Sequence, residues 1–445
     1  MKVLTKTESI NGVSSIPDSH PIYRKSSPGY PFTHWTQVKT KDSFLTIDEK
    51  GLFVIDMATE QGRKLNMAID SVVACAKEGK RSAVVFSGTL KDEPLKLKKI
   101  YDVVKTRSFA ACPVDYTIAN RMYFHTASAG ITSIFSRLPI KIGINPTSLD
   151  WHKLYTYHSE YSDMGFDGDF VNWDATIPRV FMEAVPLVYN CIYQKNDPQW
   201  KVEDDKTRIW LHKCVQAPLI TYFDTIVQVP GGNPSGQPNT ALDNCLVNWM
   251  LAYVCWRRIM TKAGKLNLRG FHQFMAHVRA SFYGDDNMFT VKHEVSEEFN
   301  FVTYKEECEK LGFSLTSAAK DGTEEKFKPL VELEFLKRNF KKLDGKYYGA
   351  LVEASIGKML AYCKKTHPHI YLSGSKPEYD PGTIGDTVRG ALRECVLHGK
   401  EFYNEVRQHL LTRCKQYKIR AQFPSYWDQV DELLYTPQLK PRSLD

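Results

Sequence analysis

Two apolar runs flank the sequence Tyr283-Gly284-Asp285-Asp286, and this arrangement constrains the fold more than any other feature of the chain. Residues 280–283 and 288–291 have the composition of paired strands, so residues 284–287 are predicted to form the tight turn of a β-hairpin. Adjacent carboxylates repel each other, and a hairpin that holds them between apolar strands favours a compensating cation. An ordinary acidic turn is the alternative interpretation of these residues taken alone.

A second acidic motif, Asp169-x4-Asp174, lies at the end of a predicted strand. The strand ends at Phe170, and apolar residues then recur at helical spacing through residues 180–192. Asp169 therefore ends a strand while Asp174 projects from the following turn, which indicates two different roles. Asp167 would point to the same side of the strand as Asp169, because side chains alternate between the two faces.

A second helix is predicted to begin after Ser235. Residues 231–236 form a turn rich in Gly and Pro, and the apolar positions after it share one helical face: Leu242, Cys245, Trp249, Ala252, Tyr253 and Trp256. Further along the chain, the patterns predict a helix at residues 302–311, a strand at 313–316 and a hairpin at 330–348. Two long helices are predicted at residues 350–363 and 388–411. Together these elements indicate an α+β fold in which a small sheet carries the acidic residues.

The composition favours a folded protein with an anionic partner. The 445 residues are 42% hydrophobic, and 59 Lys and Arg against 51 Asp and Glu give a formal charge of +8, which favours nucleic acid as the partner. The ten cysteines form no C-x-x-C pair and no Cys/His cluster with zinc spacing, so free thiols in a reducing compartment are expected. Residues 1–15 lack the apolar core of a secretory signal, and the longest apolar run is too short to span a bilayer, so a soluble protein is expected.

In their order and separations, the acidic and glycine-containing motifs resemble those of a known family. The sequence has Asp169-x4-Asp174, then Gly232-Asn233-Pro234-Ser235-Gly236 with Thr240 and Asn244, then Tyr283-Gly284-Asp285-Asp286. This series resembles the RNA-dependent RNA polymerases of picorna-like positive-strand RNA viruses, in particular those of insect and plant viruses. Further segments resemble motifs of the same family: Ser27-Pro28-Gly29-Tyr30-Pro31, Lys105-Thr106-Arg107, Lys320, Phe335-Leu336-Lys337-Arg338, Leu392-Arg393-Glu394 and His398-Gly399-Lys400-Glu401.

The resemblance implies a right-hand polymerase of the α+β class, with fingers, a palm built on a small antiparallel sheet, and a helical thumb. The implied fingers are residues 1–160 with an insertion at 200–230. The implied palm has two parts, residues 161–199 and 231–345, and the implied thumb is residues 346–445. The implied reaction is template-directed RNA synthesis from ribonucleoside triphosphates by a two-metal-ion mechanism, in the replication of a viral RNA genome.

The resemblance places the metal ligands at Asp169, Phe170, Asp285 and Asp286, of which the three aspartates are the expected catalytic carboxylates. Two Mg²⁺ ions, for which Mn²⁺ can substitute, lie roughly 3.5 to 4 Å apart in such sites. They activate the attacking 3′-hydroxyl and neutralise the leaving pyrophosphate. Lys320 is implied as the catalytic general acid that protonates pyrophosphate, although a lone lysine in a turn is more often an ordinary surface residue.

The resemblance also assigns the substrate contacts. Nucleotide and ribose binding is expected at Arg107, Lys105, Asp174, Ser235, Thr240 and Asn244, and template or primer RNA binding at Ser27, Pro28, Gly29, Tyr30, Lys98, Lys99, Gly236, Lys337 and Arg338. A guanidinium matches phosphate bidentately, and a polar network that hydrogen-bonds the ribose 2′-hydroxyl rejects a sugar that lacks it. The alternative for each fingers lysine is a solvated basic surface, and for Asn244 it is a helix cap or surface amide.

Other functions fit the sequence less well. A reverse transcriptase shares the paired acids but requires a bulky residue near the 2′ position, and Asp174 with Asn244 argues the other way. A helicase would need G-x-x-x-x-G-K-[ST] and a viral cysteine protease would need G-x-C-G, and the sequence contains neither motif. An RNA-binding scaffold would gain nothing from carboxylates that face phosphate.

The expected partners are template and product RNA, ribonucleoside triphosphates and other viral replication proteins. Picorna-like relatives commonly start synthesis on a tyrosine of a small virus-encoded protein, so the resemblance implies such a primer. The expected location is the host cytoplasm, at replication complexes that reach membranes through partners and not through a span of this chain.

Overall fold

A computed structural model describes residues 1–35, 38–91, 93, 95, 97–102, 106–318, 324–361 and 381–435. Two of the predicted site residues, Lys105 and Lys320, lie outside the described residues. Within the described ranges, no helix combines the length and apolar character needed to cross a membrane.

The strands of the described chain are β1 (Leu45–Ile47), β2 (Phe53–Ile55), β3 (Val85–Leu90), β4 (Ser108–Ala111), β5 (Met164–Phe170), β6 (Leu219–Tyr222), β7 (Thr225–Gln228), β8 (Val278–Tyr283), β9 (Asp286–Val291), β10 (Leu315–Thr316), β11 (Lys328–Pro329), β12 (Arg338–Leu343) and β13 (Lys346–Leu351).

The helices are α1 (Lys6–Asn11), α2 (Glu60–Lys77), α3 (Leu97–Tyr101), α4 (Val114–Ser133), α5 (Asp150–Ser159), α6 (Trp173–Thr176), α7 (Arg179–Asn196), α8 (Val202–Gln216), α9 (Thr240–Lys262), α10 (Phe271–His277), α11 (Phe301–Lys310), α12 (Glu353–Ala361), α13 (Pro381–Cys395), α14 (Lys400–Gln416) and α15 (Tyr426–Tyr435).

A central antiparallel sheet has the strand order β10-β5-β9-β8, and β11 also pairs with β5. The two faces of β5 differ because side chains alternate along a strand. Phe166 and Phe170 enter the main hydrophobic core, where Phe166 packs its ring on Phe289 of β9. Asp167 and Asp169 therefore share the opposite face, as the sequence predicted.

A second sheet has the order β4-β3-β6-β7 and includes a parallel pair, β3 with β6. Its β3 and β4 are joined by the basic segment that ends at Arg107. The hairpin of β12 and β13 forms a separate two-stranded sheet. Beyond it, residues from α12 to α15 build their own hydrophobic core, so the C-terminal region is helical as predicted.

The predicted single helix at residues 388–411 is wrong. The chain instead forms α13 and α14, separated by a short turn of 3-10 helix at Val396–His398. Gly399 adopts a φ of +97° between them, a backbone conformation that interrupts a helix and that glycine adopts without steric cost. Of the helix predicted at residues 350–363, α12 accounts for Glu353–Ala361, Ala350 and Leu351 belong to β13, and residues 362–363 lie outside the described residues. The other predicted elements are present, and the α+β class is confirmed.

Candidate active site

The hairpin of β8 and β9 carries the acidic pair on a two-residue turn. Tyr283 pairs with Asp286, and only Gly284 and Asp285 lie between the strands. Gly284 has a φ of +66°, the left-handed conformation that two-residue hairpin turns require. The predicted turn of residues 284–287 is therefore too long, because Asp286 and Asn287 already belong to β9.

The end of β5 brings Asp169 against this hairpin. β5 and β9 pair antiparallel with Gly168 opposite Asn287, so Asp169 and Asp286, the next residues of the two strands, lie at the same end of this pair. On the other edge of β5, Asp169 pairs with Thr316. Like charges on neighbouring positions of a sheet are destabilising. The fold thus holds two carboxylates at this end of the sheet.

The carboxylates of this site interact electrostatically. Burial, together with the negative charges of Asp285 and Asp169, raises the pKa of Asp286 to about 7, and Lys337 opposes the rise. Burial also raises the pKa of Asp285, with further contributions from Asp174 and Asp169. The negative charges of Asp169, Asp285 and Asp286 therefore act on one another within the site.

The carboxylates of Asp169, Asp285 and Asp286 are ligands that suit a hard divalent cation. Mg²⁺ is commonly bound by one or two carboxylates together with water and substrate phosphates, and a cation would offset the charges that raise these pKa values. Among the described residues, no group of three or more His, Cys, Asp or Glu side chains is arranged as a metal site. Phe170 is 4% exposed with its ring against Trp173, so only its main-chain carbonyl is chemically able to be a ligand.

Helix α9 supports the acidic turn through Asn248 and Cys245, two residues that were not predicted from the sequence. The side-chain amide of Asn248 donates hydrogen bonds to the carbonyls of Gly284 and Asp285, at 3.3 and 3.1 Å. The Gly284 N–H donates to the sulfur of Cys245 at 3.0 Å. The sequence signal for Asn248 is its spacing, since it lies one helical turn after Asn244, which was predicted to bind ribose.

Three of the residues predicted to bind ribose lie together around Asp174. The chain leaves β5 through Asn172, whose φ of +54° is a left-handed conformation that Asn tolerates, and α6 then presents Asp174. The side-chain amide of Asn244 donates to the Asp174 carboxylate at 2.7 Å. Burial raises the pKa of Asp174, while hydrogen bonds from Asn244 and Ser235 oppose the rise. The structure thus brings together Asp174, Ser235 and Asn244.

Thr240, which was also predicted to bind ribose, contacts the loop before α9. Its hydroxyl contacts the carbonyls of Pro234 and Gln237 and the N–H of Gly236, at 3.1, 2.9 and 3.2 Å. Thr240 therefore fixes the loop before α9, and Asn233 links that loop to the network by donating to the Asn244 oxygen at 2.9 Å.

The loop of residues 231–236 packs between α6 and β4, and two glycines allow the close approach of its backbone to both elements. A Cβ at Gly232 would lie 2.4 Å from the carbonyl oxygen of Asp174, and one at Gly236 would lie 2.4 Å from that of Ala110. Both glycines also have positive φ values, +75° and +131°. The close packing joins the predicted RNA-binding Gly236 to the ribose network through one loop.

Arg107 lies at the edge of the site but is engaged by another side chain. Its guanidinium forms a bidentate pair with the Glu93 carboxylate, with an Nε–Oε1 distance of 2.6 Å. The hydrogen bonds that Arg107 donates to Glu93, together with the more distant charge of Asp285, raise the pKa of Arg107. Lys98 and Lys99 lie on the exposed helix α3, where the structure does not bring them to the carboxylates.

The segment of Ser27 to Tyr30 lies against the start of α4. The Val114 N–H donates to the Pro28 carbonyl at 2.8 Å, and a Cβ at Gly29 would lie 2.7 Å from the Cα of Pro113. Ser27 is exposed and its hydroxyl accepts from the Gly29 N–H. This part of the predicted RNA path is therefore a rigid backbone segment.

Lys337 and Arg338, both predicted to bind RNA, have different surroundings. Lys337 forms an ion pair with Glu334 at 2.8 Å and lies within electrostatic range of the acidic site. Arg338 is 9% exposed, and its guanidinium donates to both carboxylate oxygens of Glu394 and to the Gly349 carbonyl. Arg338 thus connects β12 to α13, and its contact with RNA stays a prediction.

Comparison with known proteins identifies the family. A family model described as Viral RNA-dependent RNA polymerase matches residues 2–415. The chain is 28% identical over 416 residues to the replicase polyprotein of Cricket paralysis virus, covering 91% of this chain and 22% of that polyprotein. It is 27% identical over 435 residues to the RNA1 polyprotein of Cherry rasp leaf virus, covering 96% and 19%. The chain thus spans about one fifth of the length of these relatives.

Among solved structures, the Sicinivirus 3Dpol RNA dependent RNA polymerase matches with a TM-score of 0.76 at 19% identity, over 98% of this chain and 81% of that one. This match shows a shared α+β polymerase fold, as predicted. Together with the family model over nearly the whole described chain, it shows that the protein belongs to the viral RNA-dependent RNA polymerase family.

Proposed function

We propose that the protein copies an RNA template into RNA from ribonucleoside triphosphates, with Asp169, Asp285 and Asp286 as its catalytic carboxylates. The observation that carries this proposal is the antiparallel pairing of β5 with β9, which brings the end of β5 at Asp169 next to the hairpin turn of Asp285 and Asp286. Placing like charges together in this way destabilises a sheet, and it is a common arrangement where a site binds cations. Family membership supports the same activity.

The proposed cofactor is a pair of Mg²⁺ ions, with Mn²⁺ as a substitute, held by Asp169, Asp285 and Asp286 and the carbonyl of Phe170. When bound, such ions activate the attacking 3′-hydroxyl and neutralise the pyrophosphate. The chain's own residues would orient the reactants: Asn248 fixes the main chain of Asp285, and Arg107 offers a guanidinium for the triphosphate once Glu93 releases it. Lys320 remains a proposed general acid.

Sugar selection is proposed for Asp174, Ser235 and Asn244. The Asn244 amide already donates to Asp174, so the network presents a fixed carboxylate to a ribose 2′-hydroxyl. A substrate without that hydroxyl would leave a buried acceptor unpaired, which is costly. This polar arrangement favours ribonucleotides and argues against a reverse transcriptase.

The subdomain assignment is part of the proposal. We assign residues 1–160 and 200–230 to the fingers, 161–199 and 231–345 to the palm, and 346–445 to the thumb. We further propose template and product RNA as partners, with a small viral protein as primer and other viral replication proteins at complexes in the host cytoplasm. The match to segments of longer viral polyproteins supports other viral replication proteins as partners.

Primer extension on a homopolymeric RNA template with Mg²⁺ tests the proposed function. We expect the wild-type protein to extend the primer and the Asp285→Asn variant to lose extension while retaining RNA binding. Asp224→Asn is the matched control, because Asp224 occupies the two-residue turn between β6 and β7. Robust synthesis by Asp285→Asn would overturn the assignment, and RNA binding without extension by the wild type would favour a scaffold.

A further inference from the structure

A buried carboxylate that the proposed reaction does not use lies on the first turn of α9. Asp243 is 1% exposed. Its Oδ1 accepts from the hydroxyl of Tyr189 on α7 at 3.1 Å, and its Oδ2 accepts from the side-chain amide of Gln237 at 2.7 Å. The Nε2 atom of His212 on α8 lies 3.4 Å from the same Oδ2. Burying a carboxylate is costly unless it is hydrogen-bonded, and the fold surrounds Asp243 with polar groups from three other segments.

A chain of three amide side chains leads from Asp243 to Asp174. The Gln237 nitrogen donates to Asp243 and, at 3.3 Å, to the side-chain oxygen of Asn233. The Asn233 nitrogen donates to the oxygen of Asn244 at 2.9 Å. The Asn244 nitrogen donates to the Asp174 carboxylate at 2.7 Å. The three amides are 3 to 5% exposed, so bulk water has little access to these hydrogen bonds.

The hydrogen bonds of this amide chain all have a fixed direction. An ionised carboxylate only accepts, whereas an amide donates through its nitrogen and accepts through its oxygen. The Gln237 oxygen, turned away from Asp243, accepts from the main-chain N–H of Asn239 at 2.8 Å. The Asn233 nitrogen also donates to the Thr240 carbonyl at 3.2 Å. The main chain thus supports the same orientation of both amides.

Stability alone does not explain a carboxylate at this position of α9. Leu242 and Leu246, close to Asp243 in the same helix, are both 4% exposed and apolar. Replacing a buried polar group and its partners with apolar groups is often neutral for stability. A buried polar network whose members are hydrogen-bonded instead specifies one arrangement of its side chains. The arrangement specified here ends at the carboxylate of Asp174.

We propose that Asp243 is a positioning residue for sugar selection, which maintains, through the amide chain, the direction of the hydrogen bond from Asn244 to Asp174. This inference rests on the proposed function, because it takes Asp174 to be the acceptor for the ribose 2′-hydroxyl. The Asn244 oxygen is occupied by Asn233, so its nitrogen faces Asp174. If the amide chain loses its direction, Asn244 can turn its oxygen toward Asp174, and the carboxylate is no longer held for the sugar.

Single-nucleotide incorporation by the full chain tests this proposal, through the ratio of kcat/KM for a ribonucleotide to that for the matching deoxyribonucleotide. Asp243→Asn places an N–H₂ group among donors, and Asn233→Asp removes the donor to Asn244 while keeping the shape of the side chain. Each change should lower the ratio roughly three- to tenfold, the effect of losing one correctly directed hydrogen bond. A loss of stability alone reduces the amount of active enzyme for both substrates equally and leaves the ratio unchanged.

Asp205→Asn is the matched control. Asp205 is also a buried carboxylate, 6% exposed, and it accepts from three side chains outside the amide chain, those of Gln194, Trp200 and Arg208. Its variant should keep the wild-type ratio. Combining Asp243→Asn with Asp174→Ala should give the ratio of Asp174→Ala alone, because Asp243 acts through Asp174.

The outcomes separate this inference from the proposed function. An unchanged ratio in Asp243→Asn, or in Asn233→Asp if Asp243→Asn does not fold, would overturn the inference alone when Asp174→Ala still lowers the ratio. A further fall in the double variant would overturn it as well, since Asp243 would then act independently of Asp174. An equal fall in Asp205→Asn would do the same, because the ratio would then follow stability. An unchanged ratio in Asp174→Ala would overturn the proposed sugar selection, and this inference with it.

Discussion

The side-chain amide of Asn244 donates to the carboxylate of Asp174, which lies 70 residues earlier, over a distance of 2.7 Å. The orientation of this amide is fixed, because its oxygen accepts from the Asn233 amide at 2.9 Å. A reversed amide would set two N–H₂ groups against each other and would turn an oxygen toward the carboxylate. Asp174 is therefore held in one position by residues of the loop and helix that follow it.

Asp174→Ala should relax sugar discrimination. The variant removes the acceptor proposed for the 2′-hydroxyl, so the ratio of kcat/KM for a ribonucleotide to that for the matching deoxyribonucleotide should fall roughly tenfold or more. Single-nucleotide incorporation with the two substrates measures this ratio. Asn244→Ala should shift it in the same direction by less, because Asn244 acts through Asp174. An unchanged ratio in both variants would contradict the ribose assignment.

Asn248→Ala should lower kcat with little change in KM. Asn248 contacts the carbonyls of Gly284 and Asp285, so its loss loosens the turn that carries a catalytic carboxylate without touching the nucleotide. We expect a decrease in kcat of about tenfold in steady-state primer extension, the signature of a lost transition-state interaction. Asn196→Ala is the control, because Asn196 also donates to a main-chain carbonyl but at the exposed end of α7. Equal kcat in both variants would remove the positioning role.

The strands and helices around the carboxylates follow local rules and were therefore predictable. β5 ends at Phe170 as expected, and α9 begins at Thr240, just after the turn predicted at residues 231–236. Apolar spacing reveals which face of an element is buried, whatever it packs against. The length of the acidic turn was less predictable, because it depends on Gly284 alone supplying the required φ.

Several contacts between distant parts of the chain could not be predicted. The family resemblance suggested an RNA contact for Arg338, whereas in the fold its guanidinium pairs with Glu394, 56 residues later. Asp167 shares a strand face with Asp169, but its oxygens are used by main-chain N–H groups from two later segments. A sequence shows that a side chain is charged, but not which group the fold brings to meet it.

Asp167→Asn should destabilise the protein, although the change is nearly isosteric. Both Asp167 oxygens accept main-chain N–H groups, and an amide can accept at only one side while its N–H₂ opposes the other donor. The expected loss is about 1 to 3 kcal/mol of unfolding free energy, measured by urea denaturation at neutral pH. Asp163→Asn, at an exposed position just before β5, should be neutral. Equal stability of the two variants would show that the Asp167 contacts are unimportant.

Glu307→Gln should cost stability in a manner that depends on pH. The Glu307 carboxylate is 3% exposed. Burial opposes its ionisation, but hydrogen bonds from Arg258, Lys262 and Lys310 outweigh burial and lower its pKa to about 2. A carboxyl whose pKa is lowered on folding stabilises above its unfolded value of 4.5 and loses that contribution as the pH falls toward 2. We expect the variant to lose about 1 to 3 kcal/mol at pH 7, and the difference from wild type to shrink in urea titrations below pH 4.5. The exposed neighbour Glu306, changed to Gln, should show neither effect; a Glu307→Gln loss that stays constant with pH would contradict the ion-pair explanation.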